Sequence, residues 1–424
     1  EVGAFGKEAY ILTGYLNVPK ILEVTLHNGT DPVSGKKVSL ETGDPRTFRT
    51  YEELYDAFLK QIHYFVDMKV RVSNYIDRMF AKYAPATFLS LFIDDCIAKG
   101  KDYYNCGPRY NTTYIQCTGL GTITDSLSVL KKHVFEERKF NMEQIIHATD
   151  TNFEGQEAMR QFILNRTPFF GNDDEYADRI AIQVFNDLYD AIEGKPNTKG
   201  ECFHLNMLST TCHVYFGKMM NATPNGRLAG RAISDGTSPS HGADTHGPSA
   251  VVKSLGKLDQ VKSGGTLLNQ RFLPSLLKRD EDLAKLASLI RSYFALGGHH
   301  IQFNIVDTAT LHAAGITAAF TRRSTTLPTM IRWPSPGSGW RSAKSARPCR
   351  MCSAIMWSTA TITVPTTTGC RCTRTGCDAS TLPKGIGCCM PTFRTIVMTR
   401  AVSRITDSRM IRCGSTSARN APNS

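Results

Sequence analysis

A chain of 424 residues with 41% hydrophobic and 21% charged residues has the composition of an ordinary enzyme, and no stretch approaches the apolar length of a membrane-spanning helix. The formal charge of +12 points to a polyanion partner only until it is partitioned: residues 315–424 hold fourteen arginines and two lysines against Asp378 and Asp407, a balance of +14 that leaves −2 for residues 1–314. Five scattered cysteines in the body, Cys96, Cys106, Cys117, Cys202 and Cys212, make no disulfide framework, which fits a reducing, cytoplasmic compartment.

In chain order, Asn17 is a good N-cap and Pro19 suits the first turn, which predicts a helix ending before Gly29 with Tyr15 in the turn ahead of it. Leu54, Phe58, Ile62, Phe65 and Met68 recur near helical spacing and predict an amphipathic helix over Tyr51–Val72. Thr124 reads as the cap of the next helix, with Asp125 in its first turn and Leu127, Leu130 and Val134 on one stripe. A further helix over Asn172–Ile192 opens with Asp173, Asp174 and Glu175. Consecutive acids on one turn point in different directions, so these read as partners of the helix dipole and not as a metal cluster.

Five glycines and three prolines between Thr223 and Pro248 predict a long ordered loop, without the strand, spacing and helix start of a phosphate-binding loop. The run HHIQFNIV places His299, Ile301, Phe303 and Ile305 on one side and His300, Gln302, Asn304 and Val306 on the other. That pattern suits a barrel wall, and it separates the two histidines, so no metal site is expected from them.

Residues 315–424 carry the other eight cysteines and sustain neither the helical nor the strand period for long. Cys370, Cys372 and Cys377 lack the second half of a zinc site and a nearby histidine, and the arginines are spread instead of clustered. Neither a metal site nor a nucleic-acid arm is expected there.

The segments FGKEAYILTGY, YNTTYIQ, GTITDSL, STTCHVYFG and GGHHIQFN together resemble the glycyl radical enzyme superfamily, pyruvate formate-lyase-like, from Glu1 to about Ala314. The resemblance implies an α/β fold, part of the superfamily's ten-stranded barrel surrounded by helices. Within the superfamily it implies removal of water from trans-4-hydroxy-L-proline to give a pyrroline carboxylate, by thiyl-radical hydrogen abstraction. Glu1 would be the catalytic glutamate of a Gly-Cys-Val-Glu motif, which puts the radical cysteine two residues before the chain begins. Tyr15 and Thr210 would be substrate-binding. Ordinary side-chain acids and bases do not remove an unactivated C–H hydrogen; the implied cofactor is a glycyl radical, installed by a separate radical S-adenosylmethionine activating enzyme. The implied partners are that enzyme, a small-molecule substrate and, in the complete protein, a second copy, with no nucleic acid and no membrane.

The glycyl signature, near Arg-Val-Ala-Gly-Tyr, does not follow HHIQFNIVD. Arg322-Arg323-Ser324-Thr325 is what the family's Ala-Gln-Lys-His becomes when suitable codons are read one nucleotide late. The expected organisation is therefore a C-terminal portion of the barrel domain over 1–314 and a frame-shifted or disordered tail over 315–424 in place of the glycine radical domain, inactive as it stands. Other lyases of the branch, acting on glycerol, propanediol, choline or a sulfonate, are the alternative, as is a non-catalytic fragment.

Overall fold

The first helix forms where its signals lie. Asn17 Oδ1 accepts from Lys20 N (3.2 Å), Pro19 occupies the first turn, and the helix runs Val18–Thr25. In this computed structural model, which describes residues 6–307 and two further strands at 355–365 and 393–403, that helix is the first of a series that alternates with parallel strands. The strands are β1 (Ile11–Asn17), the short hairpin β2 (Thr30–Asp31) and β3 (Lys36–Lys37), β4 (Thr113–Thr118), β5 (Phe203–Asn206), β6 (Leu267–Phe272) and β7 (His300–Ile305). β1, β4 and β5 form one parallel sheet, and β6 pairs parallel to β7. A bridge between Met207 and Thr266, with Met207 N donating to Gly265 O (2.7 Å) and Gly264 N to Leu205 O (2.9 Å), joins β5 to β6. The five parallel strands thus follow one another in chain order, the arrangement of an α/β barrel wall.

One face of this wall is apolar. Leu16, Ile115, Cys117, Phe203, Leu205, Leu268, Ile301 and Phe303 pack against Phe58, Ile62 and Val66 of the helix Tyr51–Tyr83 and Ile180, Val184 and Leu188 of the helix Glu175–Ile192. Each fully buried side chain of this size contributes roughly 1.5–3 kcal/mol. The long helix starts at Thr50, whose Oγ1 accepts from Glu53 N, and it continues eleven residues past Val72. Its far end is not covered: Val72, Tyr75, Ile76, Met79, Phe80 and Tyr83 are exposed, as are the neighbouring Phe88 and Phe92.

Several expectations change. Thr124 is not a cap. The helix begins at Leu120 behind Gly119 in the left-handed region (φ +97°), where a Cβ would stand 2.5 Å from Pro19, so the turn is set by glycine geometry and not by a side-chain oxygen. Asp125 is accordingly mid-helix and fully buried, accepting from Phe170 N (2.8 Å). The acids opening the helix Glu175–Ile192 do more than face its dipole: Asp174 caps it, and Lys257 pairs with Asp173, Glu175 and Asp178. In the tail, β8 (Ile355–Pro365) and β9 (Phe393–Ser403) extend the second sheet in the order β6-β7-β9-β8, where no regular element is expected from sequence. The alternation Thr359, Thr361, Thr363 against Ala360, Ile362, Val364 supplies the strand period.

Candidate active site

The strand β4 divides the molecule chemically. Its alternation sends Ile115 and Cys117 into the core and turns Tyr114, Gln116 and Thr118 to the other face. Tyr15 of β1 is in register with Gln116, and Gln116 with Asn206 of β5, so three polar side chains form a row across the sheet. Around them Tyr10 stacks on Tyr114 (4.2 Å between ring centroids), Asn206 Nδ2 donates to the Tyr10 hydroxyl, and Asn206 Oδ1 accepts from Leu208 N (2.8 Å).

Tyr15 and Thr210, 195 positions apart in sequence, meet at this end of the row: the phenol oxygen lies 3.0 Å from Thr210 Oγ1. Tyr15 lies within β1 and not in the turn ahead of the first helix, and Thr210 lies in the turn after β5, ahead of the helix Cys212–Lys218. Thr210 has φ +46°, a left-handed conformation that a β-branched residue adopts only under constraint. Two contacts supply that constraint. His213 Nδ1–H donates to Thr210 O (3.1 Å), and the adjacent Ser209 Oγ accepts from Gly236 N (2.9 Å) in the glycine-rich loop. Half-buried Cys212 is the third member: burial pushes its thiol up, against the opposing effect of hydrogen bonds with Thr210 and Tyr15.

The glycine-rich loop is irregular, as the breakers predict, until the helix Pro248–Gly256. It is clamped to the helix Leu120–Val129 by reciprocal bonds, Thr122 N to Ser234 Oγ (3.0 Å) and Ser234 N to Thr122 Oγ1 (2.8 Å). Its role is to back the turn that carries Thr210.

Gln116 is the residue that sequence reasoning missed. It is fully buried, yet neither Oε1 nor Nε2 has a hydrogen-bond partner, and Thr118 Oγ1 beside it is likewise unpaired. A buried polar group left unsatisfied costs about 1–3 kcal/mol. The available signal is one amide at the centre of the β-forming run TYIQCT. His299 and His300 also depart from expectation: their Nδ1 atoms are 2.7 Å apart, because His299 precedes β7 and escapes its alternation. Among the described residues no three His, Cys, Asp or Glu side chains converge as a metal site requires. Glu1 lies outside the described residues.

A family model described as pyruvate formate lyase-like matches residues 1–217 of the 424-residue chain. The chain belongs to the pyruvate formate lyase-like family. A glycine radical family model matches residues 233–319, beginning well inside the segment that sequence analysis assigns to the barrel. Trans-4-hydroxy-L-proline dehydratase of Clostridioides difficile is 53% identical over 307 residues, 72% of this chain and 39% of that protein. The solved structure of hydroxyproline dehydratase from the same organism, with trans-4-hydroxy-L-proline bound, matches with a TM-score of 0.72 at 52% identity, over 74% of this chain and 40% of that one. The glycerol-bound, B12-independent glycerol dehydratase of Clostridium butyricum matches with a TM-score of 0.70 at 36% identity, over 73% and 39%. The chain therefore spans about two fifths of the length of these relatives. These neighbours share the mixed α/β architecture, and the parallel wall described above is that part of the glycyl radical enzyme barrel.

Proposed function

We propose that this chain carries part of the active site of a glycyl radical carbon–oxygen lyase that dehydrates trans-4-hydroxy-L-proline. The observation that carries the reading is the Tyr15–Thr210 pair at 3.0 Å in the same row as the unpartnered Gln116 amide. Two hydroxyls that can each donate and accept, beside an amide offering one of each, suit a small substrate bearing a hydroxyl and a carboxylate. Such a ligand also relieves the unpaired polar atoms. The identity with the Clostridioides difficile enzyme supports hydroxyproline over glycerol, propanediol or a sulfonate.

In this reading Tyr15 and Thr210 hold the substrate in one orientation, and Glu1, by its motif position, moves the proton that lets hydroxide leave as water. The glycyl radical supplies the hydrogen-abstraction chemistry. Its glycine belongs in a signature near Arg-Val-Ala-Gly-Tyr that this sequence does not contain, so the residues present give it no seat and no step is assigned to it. A radical S-adenosylmethionine activating enzyme, assembly as a homodimer and a cytoplasmic location belong to the same proposal. So does the division into barrel over 1–314 and aberrant tail over 315–424. Among the described residues no helix is long and apolar enough to cross a membrane.

The test is a chimeric protein in which residues 1–307 replace the matching segment of the Clostridioides difficile dehydratase, activated anaerobically. The expected outcome is dehydration of trans-4-hydroxy-L-proline. Glu1→Gln should abolish elimination while leaving the glycyl signal in electron paramagnetic resonance, and Tyr15→Phe or Thr210→Ala should lower kcat/KM by roughly 2- to 10-fold, the worth of one neutral hydrogen bond. Turnover of glycerol in place of hydroxyproline would sink the substrate assignment. Full activity in both hydroxyl variants would sink the site.

A further inference from the structure

The strand β1 changes register in front of Tyr15. Ile11 and Leu12 pair with Thr113 and Tyr114, whereas Tyr15, Leu16 and Asn17 pair with Gln116, Cys117 and Thr118, so Thr13 and Gly14 together oppose Ile115. This is a β-bulge with one inserted residue. Its effect on the site follows from the two-residue period of a strand. Had the register of Ile11 and Leu12 continued, Tyr15 would stand opposite Cys117, on the face that packs into the core; the bulge returns it to the face of Gln116.

Three groups hold the bulge. Gly14 has φ +111°, and Thr13 Oγ1 donates to Tyr114 O (3.0 Å), replacing part of the interrupted ladder. The third is Lys69, on the helix Tyr51–Tyr83, whose Nζ donates to Thr13 O (2.6 Å). It reaches that carbonyl over Gly14, where a Cβ would stand 2.7 Å from Nζ. Lys69 is half-buried, burial pushes its ammonium down, and among the described residues no carboxylate forms an ion pair with it. A surface ion pair would be the ordinary reason to keep a lysine here, and it is missing. A charged donor on a carbonyl oxygen is worth more than a neutral one, which fits the demand of fixing an irregular backbone.

We propose that Lys69 is a positioning residue that locks the β1 bulge and thereby aims the Tyr15 phenol at Thr210. The inference rests on the reading of Tyr15 given under the proposed function. Lys69 touches no substrate in this scheme; it acts through the backbone two residues before the tyrosine.

The experiment uses the full 424-residue chain with 3-fluorotyrosine placed only at position 15, read by fluorine NMR, with folding followed by circular dichroism. Thr210→Ala should move the resonance by removing the hydroxyl contact. Lys69→Met, which keeps length and apolar volume, should move or broaden it comparably, and Lys69→Arg should restore the wild-type position. Thr13→Val opens the same bulge from its other side and should shift the signal in the same direction, so the proposal remains testable if Lys69→Met folds poorly. A signal that responds to Thr210→Ala but not to Lys69→Met or Thr13→Val overturns the proposal, as does a Lys69→Arg spectrum matching that of Lys69→Met. A signal that moves with Lys69→Met and ignores Thr210→Ala supports the positioning device and overturns the site reading instead.

Discussion

Two polar regions lie close together in this protein and treat their hydrogen bonds in opposite ways. Where the glycine-rich loop meets the helix Leu120–Val129, polar groups are spent on the backbone: Thr122 and Ser234 bond reciprocally, Thr237 N donates to Leu267 O, and the half-buried Arg227 guanidinium reaches Asn221 O, Leu228 O and Arg231 O. Across β4, Gln116 and Thr118 are buried without partners, and Thr210 is held in a left-handed turn. The groups named in the first region are satisfied on the spot; Gln116 and Thr118 are left open at a cost in stability that a polar ligand or ordered water removes. Thr124 Oγ1 and His241 Nε2 are buried without partners even in the first region, and so is one oxygen of Asp125. That oxygen is Oδ2, and burial pushes the carboxyl up to about 7 against the hydrogen bonds from Ser240 and Phe170.

The largest expected effect breaks the loop region. A Cβ at Gly217 would stand 2.0 Å from Arg231 O, a backbone atom that cannot step aside, so Gly217→Ala should cost about 3 kcal/mol in urea unfolding followed by circular dichroism. A loss below measurable size would mean the loop is not clamped as described. Next, Gln116→Met should raise stability by roughly 1–2 kcal/mol, because it removes two unpaired buried polar atoms at nearly constant volume. In the activated chimera the same change should lower turnover, and the opposite signs of the two effects would separate a ligand-facing amide from a structural one.

Asp125→Asn tests the buried carboxyl of the first region. A carboxyl whose folded pKa is raised favours folding fully below its unfolded value, near 3.8, and loses that contribution as pH rises through about 7. The wild-type stability relative to the Asn variant should therefore decline between those limits and level off above pH 8; a flat difference would place the carboxyl in contact with water. Smallest is Tyr15→Phe, which removes one partly exposed hydroxyl contact and should change stability by about 0.5 kcal/mol while still affecting turnover.

How much of this was legible in the sequence depended on whether a signal was local. Asn17 and Pro19 announced their helix, and the alternation of HHIQFNIV announced β7, because cap and period are written in adjacent residues. The strand β1 is not legible, since the cap at Asn17 puts Tyr15 in a turn, and the helix at Leu120 hides its start, which is a left-handed glycine followed by ten buried residues. Tyr15 and Thr210 are each singled out by resemblance alone, and their contact is not legible: nothing local in either segment brings together residues 195 positions apart. Gln116 and Lys69 acquire meaning only from register and from what packs across the sheet, neither of which a linear pattern carries.

The uncovered end of the long helix has a practical side. Phe80, Tyr83, Phe88 and Phe92 stand exposed within a short stretch of chain, an aromatic surface of the kind that binds environment-sensitive dyes in the native state. Fluorescence from such a dye should already be high before heating and fall as aggregates form, giving an inverted trace in a thermal-shift screen. Substrate screening on this protein would then need a label-free signal, and Phe88→Ser with Phe92→Ser offers the quickest way to recover an ordinary melting curve.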